Sequence, residues 1–277
     1  MKRIDTHQHL WDLRQFPYCW CAGIPALNKS FLLDDFLAAA QGTGIEKTVF
    51  MECDVDEPHA LAEARHVQSL ADQHPLIAGI VASARPERAD FPAQLEALLK
   101  LPKLRGLRRV LHVVPDETSQ PALFAENVRR LAGHKLTFDL CVLARQLPLA
   151  IALAKQCSQV QFILDHCGVP DVKGLAFDPW RTHIAELAAL PNVACKISGV
   201  VAYAGENWTV EDLRPWVEHV IACFGWDRVV WGGDWPVCTL TASLKQWVDA
   251  SDNLFAAASP DEREKLFYKN AERIYRV

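Results

Sequence analysis

The sequence has no apolar run long enough to cross a bilayer: every greasy stretch meets a charge, a proline or a glycine within about ten residues, half of what a spanning helix needs. A secretory leader is also missing from the reading, because Asp5, His7 and His9 fall where its apolar centre would lie, and a cytoplasmic protein is expected. Positive charge is not in excess. With 29 Lys and Arg against 34 Asp and Glu the formal net charge is −5, so the field that gathers phosphates is lacking and neither nucleic acid nor an anionic membrane is an expected partner. No G-x-G-x-x-G follows a strand, and no G-x-x-x-x-G-K-S/T or G-x-S-x-G occurs. Dinucleotide, P-loop and serine-hydrolase chemistry therefore lack their minimum parts. Nine cysteines, an odd number without an export signal, read as reduced thiols, and Cys19-Trp20-Cys21 has no second half to complete a zinc site.

What is present is a rhythm. Short runs rich in Val, Ile and aromatic residues cover 2–9, 47–53, 76–83, 104–110, 135–141, 160–166, 193–198 and 228–234. Helical patterns fill the gaps, for example at 57–74, 121–133, 145–157, 179–190 and 210–225, and a last one at 260–275 starts on Ser259 as N-cap before Pro260. Eight strand–helix units in 277 residues match a single-domain (β/α)8 TIM barrel over 1–277 with a C-terminal helix; a doubly wound open sheet ranks second. No linker or low-complexity tract divides the chain. The connection from Leu10 to about Ser30 holds Trp11, Phe16, Tyr18 and Trp20 and reads as a folded lid.

In such a barrel, polar residues at the C-terminal ends of strands carry the chemistry. Alternation puts Arg3, Asp5, His7 and His9 on one face of the first strand, and two imidazoles two residues apart suit a divalent metal or paired hydrogen bonds to substrate. The eighth strand ends in Gly232-Gly233-Asp234-Trp235, with Asp234 in line with Gly232 and Val230 and next to the first strand once the barrel closes. The alternatives for Asp234 are metal ligation, a base for attacking water, or a capping aspartate in a turn. Lys196 lies inward with Ala194 and Ser198 as a substrate contact or a buried ion pair. The same parity aligns Arg108 with Gly106, Asp139 with Thr137 and Glu52 with Thr48. In the sixth strand Asp165 and His166 interrupt an apolar run; His166 is expected to face the site and Asp165 to pair outward. His112 follows the fourth strand as a further candidate.

These segments together resemble the amidohydrolase superfamily, in its amidohydrolase-2 branch of sugar-lactone hydrolases. The resemblance rests on Asp5-Thr6-His7-Gln8-His9-Leu10-Trp11-Asp12, Gly106-Leu107-Arg108, Leu164-Asp165-His166-Cys167-Gly168-Val169-Pro170, Lys196-Ile197-Ser198-Gly199 and Trp231-Gly232-Gly233-Asp234-Trp235-Pro236, in the family's order along the chain. It implies a barrel with His7, His9, His166 and Asp234 at its site, and the position of His7 implies no N-terminal β-sandwich. The fifth strand reads Phe138-Asp139-Leu140 where decarboxylases of the branch carry a metal-binding histidine, and the fourth lacks the metal-bridging lysine of binuclear members. With Phe138-Asp139-Leu140 and Lys196-Ile197-Ser198-Gly199 the chain resembles the L-fuconolactonase and L-rhamnonolactonase group.

The expected function is hydrolysis of a sugar (aldono-) lactone to the open acid, a step in carbohydrate metabolism. Asp234, His166 and Lys196 are the expected catalytic residues. Arg108, Asp139, His112, Trp11, Trp20 and Trp235 are the expected substrate contacts. One divalent ion, zinc foremost, is expected on His7, His9, Asp234 and Glu52, with polarisation by imidazoles alone as the metal-free alternative. The partner is a small-molecule lactone, and a homo-oligomer is compatible with the sequence. Rival readings are a hydrolase of an anionic (dicarboxylate or sulfonated) lactone using Arg85, Arg108, Arg109 and Lys196, a metal-dependent decarboxylase, and a silent binding barrel.

Overall fold

A computed structural model describes residues 1–277. Eight strands pair in chain order, all parallel: β1 (Arg3–Gln8), β2 (Ile45–Met51), β3 (Ile77–Ser83), β4 (Leu104–Val110), β5 (Thr137–Cys141), β6 (Gln161–Leu164), β7 (Val193–Ile197) and β8 (Val229–Trp231). Between them run α1 (Leu33–Ala39), α2 (Ala60–Gln73), α3 (Phe91–Leu98), α4 (Ala122–Arg129), α5 (Leu147–Gln156), α6 (Trp180–Ala188) and α7 (Val210–Phe224), followed by α8 (Leu244–Leu254), α9 (Pro260–Glu264) and α10 (Asn270–Tyr275). Sequential parallel order with a helix on each crossover is the (β/α)8 barrel, and the open doubly wound sheet is not formed. The last seam, between β8 and β1, closes at the mouth. There Asp234 N donates to His7 O (2.8 Å), His9 N to Trp235 O (2.9 Å) and Thr6 Oγ1 to Trp231 O (2.8 Å). No helix is long and apolar enough to cross a membrane.

Strands buried on both faces explain the near-continuous apolar runs. Most of the core, 72 buried residues, lies between strands and helices, whereas a separate cluster of 10 fills the lower barrel. In that inner cluster Ile4, Val49, Met51, Val81, Ile163, Ala194 and Val230 meet Ala271, Ile274 and Tyr275 of α10, so the C-terminal helix plugs the barrel floor. Ser259 caps α9 as expected, its Oγ accepting from Glu262 N, and the helix expected over 260–275 runs on from α9 through a π-helical segment at Lys265–Lys269 into α10.

Two alternation readings are corrected. Ile4, not Arg3 or Asp5, faces inward on β1, and Arg3 reaches outward to Asp252 of α8 (2.5 Å). The pairing of β1 with β2 slips between Arg3 and Ile4 and again between Asp5 and Gln8, which restores His7 to the interior. On β2, Val49 and Met51 point inward, so Thr48 is outward and Glu52 lies beyond the strand end, where alternation no longer applies.

Candidate active site

The mouth of the barrel holds a cavity of about 400 Å³ lined by His9, Arg108, His112, His166 and Asp234 among apolar side chains. Backbone geometry aims its acids and bases. Asp234 has φ +55° and His166 and Cys167 each have φ +54°, a left-handed conformation that costs a non-glycine residue about 1–3 kcal/mol and persists only where surrounding structure imposes it. The bend at 165–167 breaks strand alternation, so both Asp165 and His166 point inward. This corrects the expectation that Asp165 pairs outward. Gly232 leaves room for the convergence of β1 and β8, since a Cβ there would lie 2.8 Å from His7 Cβ and 3.2 Å from Ser198 Cβ. Gly199 does the same beneath His166, where a Cβ would lie 2.4 Å from Nδ1.

His7, His9 and Asp234 converge. Asp234 Oδ1 is 3.7 Å from His7 Nε2 and 3.6 Å from His9 Nε2, while Oδ2 is 4.0 Å from His166 Nδ1. His9 Nδ1 is 2.9 Å from Met51 O, an acceptor only, so this nitrogen carries the proton and Nε2 presents a lone pair towards Asp234. His166 Nδ1 shares a 2.9 Å hydrogen bond with Ser198 Oγ. Asp234 Oδ2 is buried and without a hydrogen-bond partner. Two imidazoles and a carboxylate whose donor atoms lie within 4.8 Å of one another, with one carboxylate oxygen left unpaired, fit a divalent cation. His7 and His166 also stand within such a distance of Asp165.

Below this group lies a layer of paired charges. Lys196 Nζ is 2.8 Å from Asp139 Oδ2 and 3.0 Å from Asp165 Oδ1. Arg108 bonds Glu52 Oε1 (2.7 Å) and Asp165 Oδ2 (3.3 Å). Tyr275, from the floor helix, donates to Asp139 Oδ2 (2.8 Å). His7 rests on the layer, with Nδ1 3.2 Å from Lys196 Nζ and 3.4 Å from Asp165 Oδ1, and Nε2 3.3 Å from Arg108 Nη1. Burial, reinforced by the neighbouring Lys196 charge, holds the His7 imidazole well below its usual pKa despite Asp165. A neutral ring with Nδ1–H towards Asp165 leaves its Nε2 lone pair aimed at the Asp234 side. Against burial, Lys196, His7 and Arg108 hold Asp165 well below the usual carboxylate range, and Asp139 and Asp165 hold the Lys196 ammonium above its own. Burial lowers His166 and takes His112 to about 4, so both are neutral at pH 7.

Several expected contacts are placed differently. Lys196 and Asp139 are both 0% exposed and spend their charges on each other and on Asp165, so neither lines the cavity: β7 carries the ammonium into the barrel axis below the mouth. Glu52 joins neither potential ligand group, because its carboxylate accepts from Arg108 Nε and from Asp54 N (2.8 Å). Trp235 is packed edge-on against Phe31 and Phe36, at 5.5 and 5.4 Å between ring centres, outside the cavity. Trp11, Trp20, Arg108 and His112 do line it. The lid is folded: Trp11 Nε1 donates to Lys29 O (2.7 Å), Trp20 Nε1 to Cys53 O (2.7 Å) and Tyr18 to Glu63 Oε1 (3.0 Å). Cys19 is exposed and bonds Asp56 while Cys21 is buried, and all nine cysteines are free. Sequence reasoning passed over Tyr203, a cavity residue in a connection without periodicity, and Tyr275, which sits in a helix that reads as part of the outer ring.

An L-fucono-1,5-lactonase from Burkholderia multivorans is 34% identical, over 99% of this chain and 95% of the relative. A 4-sulfomuconolactone hydrolase from Rhizobium radiobacter is 27% identical over 99% and 89%. A crystal structure of an amidohydrolase from Burkholderia multivorans with bound zinc superposes with a TM-score of 0.90 at 29% identity, covering 100% of both chains. The family model described as "Amidohydrolase" matches residues 4–277, from the first inward residue of β1 through the floor helix, and the chain belongs to that family.

Proposed function

We propose that this protein hydrolyses a lactone to its open hydroxy acid, and that the lactone is a neutral sugar (aldono-) lactone. The L-fucono-1,5-lactonase relative supports the reaction class. The observation that carries the substrate class is the commitment of every cation near the cavity to protein partners. Arg108 is held by Glu52 and Asp165, Lys196 is sealed between Asp139 and Asp165, Arg85 bonds Ser83 Oγ (2.8 Å) beside Asp54, and Arg109 turns to Glu87 (2.9 Å). What faces the cavity without a committed partner includes Asp234 Oδ2, the Tyr203 hydroxyl, the His9 Nε2 lone pair and the faces of Trp11 and Trp20. Flat aromatic faces and neutral donors suit the C–H and O–H groups of a sugar ring, and the charge of an anionic ring would find no uncommitted arginine or lysine.

Asp234 accepts the proton of the attacking water. His9 keeps its Nε2 lone pair turned inward through the Met51 carbonyl, and His7 is kept neutral and oriented by Asp165. His166, fixed by Ser198, donates to the carbonyl oxygen as charge develops there. The lid tryptophans exclude bulk water from one side. His7, His9 and Asp234 would hold a divalent ion, for which zinc is the choice that the donor set and the zinc-bound relative support. Such an ion would supply Lewis-acid polarisation of the lactone carbonyl.

A pH-indicator screen of hexonic and pentonic aldonolactones beside an anionic lactone tests the reading. Turnover of a neutral aldonolactone is expected, and preference for the anionic ring overturns the substrate class. Metal analysis with and without chelation tests the ion: one divalent ion per chain whose removal abolishes activity is expected, and full activity in stripped protein overturns it.

A further inference from the structure

Opening a lactone leaves its ring oxygen as an alkoxide, a poor leaving group unless a donor protonates it as the C–O bond breaks. Several groups at the cavity are already spent. His9 gives its N–H to Met51 O, His7 is enclosed by Arg108, Lys196 and Asp165, and Arg108 is pinned by two carboxylates. His166, fixed by Ser198 and 4.0 Å from the Asp234 carboxylate, is already assigned to the carbonyl oxygen.

Tyr203 differs from these. It lies in the connection between β7 and α7, on a wall it shares with Ala202, Val237 and Leu240, none of which has a side-chain donor. Its ring stands edge-on to that of His166, 6.4 Å between centres. The other interior tyrosines have used their hydroxyls, Tyr18 on Glu63 and Tyr275 on Asp139, whereas the Tyr203 hydroxyl makes no hydrogen bond to protein. Burial and then the Asp234 charge raise its pKa, so at neutral pH it carries its proton.

Resting on the lactone-hydrolase reading, we propose that Tyr203 is the catalytic residue that protonates the leaving ring oxygen. Water gives one proton to Asp234 as its oxygen bonds the carbonyl carbon. The tetrahedral adduct then breaks its bond to the ring oxygen, whose electron pair takes the Tyr203 proton. The phenolate recovers a proton from Asp234 through solvent, and the sum is lactone plus water to hydroxy acid.

The test is Tyr203→Phe, which keeps the ring and removes the donor, assayed on an aldonolactone and on dihydrocoumarin, an aryl lactone whose phenolate leaves without a proton. For the aldonolactone kcat is expected to fall roughly 100-fold with KM within about threefold, and for dihydrocoumarin kcat within about threefold of wild type. Tyr203→His, which restores a donor, is expected to regain part of the lost kcat, and unchanged melting temperatures show that both variants fold. Equal losses on the two substrates, an unchanged kcat, or a loss confined to KM overturns the assignment. A wild-type enzyme that opens dihydrocoumarin and no aldonolactone overturns the sugar reading instead, and the same comparison then uses δ-valerolactone as the aliphatic member of the pair.

Discussion

Two adjacent levels of the barrel interior are built from similar residue types and behave in opposite ways. In the middle level Glu52, Arg108, Asp165, Lys196 and Asp139 pair with one another and with Tyr275, at 2.7–3.3 Å. At the mouth, Asp234, His7, His9 and His166 approach only to 3.6–4.0 Å, and Asp234 Oδ2 is left without a hydrogen bond, whereas Asp165 Oδ1 below, which also makes none, stands 3.0 Å from the Lys196 ammonium. A buried polar atom without a partner is costly, and natural folds keep one where a ligand or a reacting atom will meet it. The contrast teaches that burial and charge do not by themselves mark a catalytic group. Lys196 and Asp234 are both buried, and what separates them is whether their hydrogen-bonding capacity is already filled.

Removing one charge from the middle level is the strongest way to break the comparison. Lys196→Ala leaves Asp139 without a cation and Asp165 with Arg108 alone, and is expected to cost about 3–5 kcal/mol of stability by urea unfolding. A stable variant with a raised KM alone would return Lys196 to the substrate. Asp234→Asn at the mouth is expected to do the reverse, leaving the unfolding midpoint near wild type and lowering turnover by roughly 100-fold. Near-normal turnover would remove Asp234 from the chemistry.

A buried carboxyl that lacks a cation sharpens the contrast. Burial pushes Glu63, under the lid, up to about 8 from the ordinary 4.5 of a glutamate, where Asp165 is held low by Lys196 and Arg108. The raised folded-state pKa means that the stability from protonated Glu63 is complete below about pH 4.5 and is lost as pH rises through about 8, by up to about 1.4 kcal/mol per pH unit. Glu63→Gln is expected to flatten that slope in urea unfolding between pH 5 and 9; an unchanged slope would show that Glu63 ionises freely in the fold. For Asp165 the sign is opposite, with its contribution present above about pH 4 and lost on further acidification. The smallest effect is expected from Tyr275→Phe, which deletes one bond to Asp139: about 1 kcal/mol of stability by the same measurement. No measurable loss would detach the floor helix from the charge layer.

The barrel, the position of its strands and the gathering of His7, His9, His166 and Asp234 at one mouth were legible in the chain. Strand period and order are local properties, and parallel closure in sequence order then fixes which strand ends meet. Asp165 was misjudged because a left-handed bend at His166 and Cys167 ends the alternation that the reading assumed. The inward face of β1 was misread for a related reason, two slips in its pairing with β2. α1, α3 and α8 lie in gaps where a helix was expected but no bounds were read, and the first two are only seven and eight residues long.

By itself the sequence determined which groups stand near the mouth: alternation and strand order need no knowledge of distant neighbours. Only the tertiary structure decided which of those groups are free. Lys196 is satisfied by Asp139 on β5 and by Asp165 just past β6, and Asp139 in turn by Tyr275 from the end of the chain. A hydrogen bond between residues 136 positions apart leaves no trace in local pattern, because its partner exists only once the barrel has closed and its floor helix has docked.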